Sequence, residues 1–478
     1  MTKFHHPYNF ISVTGKIGKA SSAKTKFDDV KDGKTQARHD LWMLNTESGR
    51  IVCRLRLDTP TVVGAEQIKE TRFDSKRVEP YLRNNQPAIP ANSLRGMIGS
   101  IAETLSQSAL RVLENEEYKV SYYDRELQER VKKRHAGHTH DYFNENLRPW
   151  NAARHVLTPA ELLLGVVEES NDTSAKEKTE EEGNERPARN LASRLRFSDA
   201  LPILGANPPL GREVTLKILA SPKLPCPAMY FHRGDGSGHF ISKKGFAIHN
   251  QANPRPNGRK VYLHHPKEII KEEAWITRYP YDHTDQKLRC TPLEAGQDFY
   301  FHIDFENLSE AEVGLVLTSL RPSGEFRHRL GLGKPLGLGT VEVAIEGVFL
   351  VNRIARYGLD ALNQPRYHAV WRKESPPKEI AWAAGFYSEE AHRLTETENE
   401  GKLTWPKSDM TLVDTETLKI LQTVGDPGNL EESVQPPLLD VQDPEQETFL
   451  WFQENESAAN PQALKPIQAG GKLPTLNT

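Results

Sequence analysis

Four glycines occupy nine positions, Gly331, Gly333, Gly337 and Gly339, in the stretch RHRLGLGKPLGLGTVEV (327–343), with Arg327, Arg329 and Lys334 around them. Bare backbone beside cations suits anion chemistry, because a chain without Cβ atoms can bring its N–H groups close to a phosphate. Two familiar phosphate loops are excluded. A Walker loop needs Ser or Thr after Gly-Lys, and here Pro335 follows Lys334 while His328 holds the place of the first glycine. A dinucleotide fingerprint opens a helix after a strand, and here the third glycine comes one residue late. The flanking order is also reversed: LSEAEVGLVLTSL (308–320) reads as a helix before the loop and GTVEVAIEGVFLV (339–351) as a strand after it.

Two further stretches carry groups for the same chemistry. In IPANSLRGMIGSIAETLSQSAL (89–110), Pro90 with Asn92 and Ser93 marks a helix entry, and Leu94, Ile98, Ile101 and Leu105 form its apolar stripe. The helix N-terminus, the Ser93 hydroxyl and the Arg95 guanidinium suit phosphate, and Gly96 permits close approach. Plain structural roles stay open: Ser93 as an N-cap, Arg95 as a solvated charge, the loop glycines as a tight turn. In KKGFAIHNQANPRPNGRKVYLHHPK (243–267), Lys243, Lys244, Arg255, Arg259 and Lys260 interleave with Phe246 and Tyr262. Cations for phosphates and flat rings for unstacked bases suit single-stranded RNA, and a solvated loop is the alternative.

The net charge of −3 conceals an uneven distribution. Residues 168–185 hold eight acids and two lysines, and residues 420–464 hold nine acids with no Lys or Arg, so the remainder carries +12. That remainder can neutralise several phosphates. Cys53, Cys226 and Cys290 lie far apart without a C-x-x-C pair, which argues against a zinc ribbon or disulfide framework. No run approaches the roughly 20 apolar residues of a membrane span, and the N-terminus lacks a signal-peptide pattern. The expectation is a soluble, cytoplasmic protein with no membrane partner.

The elements that must position these groups follow from periodicity. RIVCRLRLD (50–58) alternates as a half-buried strand, LASRLRFSDALPI (191–203) and EVTLKILAS (213–221) are further strand candidates, and QDFYFHIDFEN (297–307) is a clear strand. With the two helices and the final strand the order is β–α–β–β–α–β, so the predicted class is α+β with a ferredoxin-like, RNA-recognition core. Either 194–221 supplies a middle strand, or 297–307 does and 194–221 is a decorated hairpin. The predicted organisation is an N-terminal extension (1–48), a core (49–352) and an irregular, partly disordered C-terminal extension (353–478), in which LKILQTV (418–424) suits a short helix. The core carries large insertions, a disordered acidic loop at about 166–190 and a basic excursion at about 222–296.

PYNFISV near the start, IPANSLRGMI, SRLRFSDA (193–200) and GLGKPLGLGTVEV (331–343) occur in the order found in CRISPR-associated RAMP-superfamily proteins, and the chain resembles their type III backbone-subunit branch. The resemblance implies a modified RNA-recognition fold that binds guide (CRISPR) RNA, complementary target RNA and other effector subunits in antiviral defence. Ser93, Arg95, Gly96, Arg327, Arg329, Gly331, Gly333, Lys334, Gly337, Gly339, Lys243, Lys244, Arg259 and Lys260 are then the candidate RNA-binding residues. Ala91-Asn92 stand where the family usually has glycine and serine.

Many relatives carry an aspartate in the loop before the IP motif, and Asp74, between Arg72 and Lys76-Arg77, stands near that place. It is the candidate catalytic residue for target-RNA cleavage, with Mg2+ as the implied cofactor; a surface ion pair is its plain alternative, and Asp58 and Glu66 are poorer candidates. No metal site is assigned. His135, His138, His140 and Asp141 in RHAGHTHD (134–141) have metal-ligand types but match nothing in the motif set. A histidine-dependent processing branch brings His39 and His328 into view, with a surface or phosphate-contacting role expected for His328. Three readings follow: a target-cleaving endoribonuclease subunit, a non-catalytic subunit of the same complex, and a standalone CRISPR-RNA-processing endoribonuclease.

Overall fold

A computed structural model of the chain describes residues 3–13, 25–69, 71, 74–124, 126–151, 153–168, 189–203, 206–218, 227–235, 238–248, 253–265, 272–282, 284–359, 367–372, 409–437 and 444–477. Most of the acidic insertion expected at 166–190 therefore lies outside the described residues, as do Cys226 and 373–408 of the C-terminal extension.

The elements that frame the site begin with the strands β1 (Tyr8–Ile11) and β2 (Glu47–Leu57), then a hairpin of β3 (Gly64–Ile68) and β4 (Lys76–Pro80). Helix α1 (Ala91–Leu105) follows, then a hairpin of β5 (Glu117–Asp124) and β6 (Glu129–His138), and the short strand β7 (Leu195–Phe197). Next come β8 (Arg259–Tyr262), β9 (Asp298–Leu308), helix α2 (Glu310–Leu320) and β10 (Thr340–Val351). Helix α3 (Thr415–Gly425) lies in the C-terminal part.

The main sheet has the order β7–β9–β2–β10, every neighbouring pair antiparallel, and a two-residue strand at His328–Arg329 extends it beyond β10. Two β–α–β units are thereby interleaved. The strands joined through α1 (β2 and β7) are separated by β9, and those joined through α2 (β9 and β10) by β2. The mixed class read from the sequence stands. Both 195–197 and 298–308 are strands of this sheet, so the choice between them dissolves. The strand expected over 213–221 is corrected: among the described residues Val214–Thr215 alone is strand there, and it pairs with Leu288–Cys290 in a separate small sheet, apart from the main one.

Period-two alternation explains the sheet. Ile51, Cys53, Leu55 and Leu57 of β2 and Phe299, Phe301, Ile303 and Phe305 of β9 are buried against the helices. Burying each of the larger side chains stabilises the fold by roughly 1.5–3 kcal/mol. The opposite face carries cross-strand ion pairs, Arg50 with Asp304 (2.9 Å) and Arg56 with Asp298 (3.2 Å), at directly opposed positions of β2 and β9.

SRLRFSDA works inside this core. Arg194, 2% exposed, forms an ion pair with Glu312 in the first turn of α2 and donates to the carbonyls of Asn307 (2.9 Å) and Leu162 (3.1 Å). Glu312 also closes a capping box, its carboxylate accepting the Ser309 N–H at 3.0 Å. At the other end of the motif, Asp199 accepts the Ala91 N–H and so caps α1, whose N-cap position is Pro90.

A second core gathers Phe4, Tyr8 and Phe10, Val120 and Tyr122 of β5, Phe231 and Phe246, and Trp451 and Leu464. The C-terminal part, read as irregular, supplies α3 to the main core through Ile420, Leu421 and Val424, and the helix Pro444–Ser457 to the second core. Among the described residues, no helix is long and apolar enough to cross a membrane.

Candidate nucleic-acid interface

Three stretches distant in sequence meet around one cleft of about 600 Å³. The outward side of α1 forms one wall through Asn92, Ser93, Gly96 and Ser100, because its apolar stripe (Leu94, Ile98, Leu105) is turned to the sheet. Lys260 and Tyr262 of β8 contribute a second wall, and the glycine loop contributes Arg329, Gly331 and Lys334. Gly64–Gln67 of β3 line one end; Phe326 with Leu421 and Val424 of α3 line another part.

All four loop glycines have positive φ, from +71° to +93°. At Gly331 a Cβ would collide with the Val62 carbonyl, and at Gly339 with that of Leu330. Glycine is thus demanded there by tight turns against the protein's own backbone. Among the described residues, the N–H groups of Gly331 and Gly333 have no acceptor. Gly96 differs: it sits in a helix, and nothing lies within 4 Å of where its Cβ would be. Ser93 falls in the first turn and does not cap the helix.

The charge of the cleft is mostly positive, with Glu66 as the acidic residue of its lining. Arg329 donates to Thr340 Oγ1 (2.6 Å) and to the Lys334 carbonyl, and its Nε is buried without a partner. Lys260 Nζ lies 3.9 Å from the Tyr8 ring centre and 5.0 Å from that of Tyr262, and Lys334 Nζ lies 5.8 Å from the centre of the same Tyr262 ring. Among the described residues none of these three cations has a carboxylate partner. Burial lowers the pKa of Arg329 to about 9 and of Lys260 to about 8. Lys334 is lowered by burial first and by the Arg329 charge second. His264 and His265 sit behind the loop and are held neutral, chiefly by burial, His265 at about 4. The positive charge of the cleft therefore rests on lysine and arginine.

Other predicted binders are used within the protein. Arg259 pairs with Glu103 and donates to the Ser108 carbonyl, both on or just after α1. Lys244 binds Asp124 (3.1 Å) and Glu126 (3.3 Å), and Arg95 donates to the Leu164 carbonyl. Arg327 lines the cleft, but its Nε is held by Asp58 at 2.7 Å. The Lys243 backbone N–H donates to Glu456 at 2.7 Å, and neither Lys243 nor Lys244 lines the cleft. Lys244, Arg259 and Arg95, expected as RNA-binding cations, are thus each held by acceptors within the protein.

Asp74 stands in the turn between β3 and β4, partly exposed, and accepts a hydrogen bond from Thr71 Oγ1 at 2.6 Å. It does not line the cleft, although β3 leads from the cleft toward it. Arg72 lies outside the described residues, and Arg77 is paired with Glu79 at 2.8 Å. His135 pairs with Glu117 (2.9 Å) and His140 with the Leu113 carbonyl (2.8 Å). Among the described residues no group of three or more His, Cys, Asp or Glu side chains is arranged to hold a metal ion. His328, expected in a surface or phosphate-contacting role, is instead 2% exposed, with Nε2 on the Leu320 carbonyl at 2.9 Å and its pKa pushed down to about 4 by burial. His39 sits between Glu306 and the Ala192 carbonyl.

Leu421 and Val424 were not foreseen as part of the site. The one signal in the sequence was the apolar spacing of 418–424, which indicates a helix but not where it docks.

The sequence profile of the RAMP superfamily matches residues 54–342, the span that runs from β2 into β10 and encloses the glycine loop. The chain belongs to the RAMP superfamily. Among solved structures, it is similar to Csc2 of Thermofilum pendens, at 13% identity over 63% of this chain and 66% of that one, with a TM-score of 0.26. It is also similar to a chain of a type IV-B CRISPR complex, at 13% identity over 66% of this chain and 98% of that one, again with a TM-score of 0.26. No curated protein sequence matches it.

Proposed function

We propose that the protein is a guide-RNA-binding subunit of a CRISPR effector complex and that the cleft grips the RNA backbone. The observation that carries this reading is the set of three cations, Lys260, Arg329 and Lys334, gathered at one cleft whose single lining carboxylate among the described residues, Glu66, is ion-paired with none of them. Burying unpaired cations is costly, and a phosphate diester would relieve that cost. Membership of the RAMP superfamily and the ordered motifs that resemble its type III branch supply the CRISPR assignment. Contacts of this kind fix a backbone without reading sequence, which leaves sequence choice to base pairing.

The test is the binding of labelled single-stranded RNA to the full chain across a salt titration. Lys260→Ala with Lys334→Ala should weaken binding alike for unrelated sequences and flatten the salt slope by about 1.4, at about 0.7 per phosphate contact on a single strand. Unchanged affinity and slope would sink the reading.

Cleavage of target RNA through Asp74 is a second reading, favoured by the hairpin that runs from the cleft to that residue. Mg2+ commonly binds through one or two carboxylates plus phosphate oxygens, and the Asp74 carboxylate fits that mode. The ion would supply charge neutralisation at the phosphate when bound. Wild type and Asp74→Ala, assembled with partner subunits and equal guide, should then differ in target fragments but not in guide content. Identical fragments would leave the chain as a scaffold.

A further inference from the structure

The hairpin of β5 and β6 presents a second concentration of charge, well separated in sequence from the groups of the cleft. Its inner face is fixed to the second core by Val120, Tyr122 and Ala136, and its turn is tied down by Lys244 on Asp124 and Glu126. The outer surface carries Arg130, Lys132 and Lys133 within four residues of β6, whereas Arg134 stands opposite Val120 and donates to the Tyr122 hydroxyl at 3.5 Å. Lys132, Lys133 and Arg134 are exposed, as is Arg130. Arg130 stands directly opposite Tyr123, which is 61% exposed. Of the hairpin's acids, Glu117 is taken by Lys119 and His135, and Asp124 and Glu126 by Lys244, which leaves Glu129 beside the turn.

Backbone geometry concentrates this charge. In a regular strand two successive lysines point to opposite faces, so one of them would turn toward the core. Here the register jumps between Val131, opposite Tyr122, and Arg134, opposite Val120. Lys132 and Lys133 therefore share a bulge across from Ser121, whose Oγ accepts the Lys133 N–H at 3.0 Å. Lys133 has φ of +48°, a conformation that glycine adopts freely and lysine only at a cost. The bulge keeps both ammonium groups in solvent.

We infer that the outer face of the β5–β6 hairpin is a second nucleic-acid-binding surface, in which Arg130, Lys132 and Lys133 take phosphates of a single strand and Tyr123 stacks on a base. An exposed ring set among unpaired cations favours a nucleic acid over an acidic protein segment, because a base offers the flat face such a ring stacks on. The inference goes beyond the cleft and uses none of its residues.

The test measures labelled single-stranded RNA against the full chain with Arg130→Ala, Lys132→Ala and Lys133→Ala combined, across a salt titration. The expected result is weaker binding at low salt and a salt slope reduced by about 2, at about 0.7 per contact. Lys133→Gly, which suits the positive φ, removes charge without disturbing the bulge and should reproduce about a third of the slope change. Tyr123→Ala should lower affinity roughly tenfold with the slope unchanged. Lys260→Ala serves as the cleft control. If the cleft variant weakens binding and the hairpin variants keep wild-type affinity and slope, the hairpin inference fails and the cleft reading survives. Wild-type RNA binding by the hairpin variants together with loss of a co-purifying acidic protein also overturns it, in favour of a protein partner.

Discussion

Asp199 Oδ1 accepts the backbone N–H of Ala91 at 2.8 Å across 108 residues of sequence, and the same carboxylate takes the Tyr81 hydroxyl (3.0 Å) and the Arg83 guanidinium (2.9 Å). The first turn of α1, which places Asn92 and Ser93 at the cleft, is therefore capped from another element and not by its own N-cap residue, Pro90. Asp199→Ala should lower stability by about 1–2 kcal/mol, the usual worth of an N-cap acceptor. Urea denaturation checks this, and Asp199→Asn, which keeps an acceptor, should lose less. RNA affinity should fall with the Ala variant as the α1 entrance loosens.

A buried ion pair ties the two β–α–β units together. Arg194 and Glu312 are 2% and 5% exposed, so removal of either leaves its partner charged and unpaired in the core. Glu312→Ala should cost about 3–5 kcal/mol, whereas Arg194→Met combined with Glu312→Leu should recover much of that loss. Denaturation midpoints of the three proteins decide it. A double variant no more stable than the single one would mean that the Arg194 bonds to Asn307 and Leu162 matter more than the pair.

Much of the fold was legible because its signals are local. The alternation in 50–58 and 297–307 and the helical reading of 308–320 predict β2, β9 and α2 to within a few residues. The convergence of Ser93, Gly96, Lys260, Arg329 and Lys334 on one cleft likewise agrees with the residue types. Partnership across the chain was not legible. Arg259 finds Glu103 from 156 positions away, and Lys244 finds Asp124 from 120, so neither is available in the way that a string of basic residues suggests. The spacing of the glycines suggests anion chemistry, yet Gly331 and Gly339 answer first to backbone crowding from Val62 and Leu330, which no local pattern announces.

Lys260 gives the cleft a pH dependence. Burial brings its pKa down to about 8, so the uncomplexed fold is penalised while the amine is charged, below about pH 8, and that penalty is relieved as pH rises toward the ordinary lysine value. A bound phosphate favours the charged amine and raises its pKa again. RNA binding should therefore take up protons near pH 8 and weaken as pH rises from about 7 to about 9. Affinity measured across that range checks the sign. Lys260→Arg, which does not titrate there, should flatten the Lys260 contribution.

Gly96 separates what the protein needs from what its ligand needs. It lies inside α1, where glycine costs about 1 kcal/mol relative to alanine, and beyond its chain neighbours and its own helix backbone nothing stands within 4 Å of its absent Cβ. Nothing in the chain's own packing calls for glycine at this exposed position, whereas at Gly331 the chain's own backbone does. Gly96→Ala should accordingly raise stability by about 1 kcal/mol, and Gly96→Leu should leave the fold at least as stable as wild type. If an RNA backbone lies against this turn, the added side chain occupies its path, so the leucine variant should bind RNA at least tenfold more weakly while it unfolds no earlier. Stability and affinity would then move in opposite directions for one substitution. Full affinity in a stable leucine variant would place the RNA elsewhere in the cleft, away from α1.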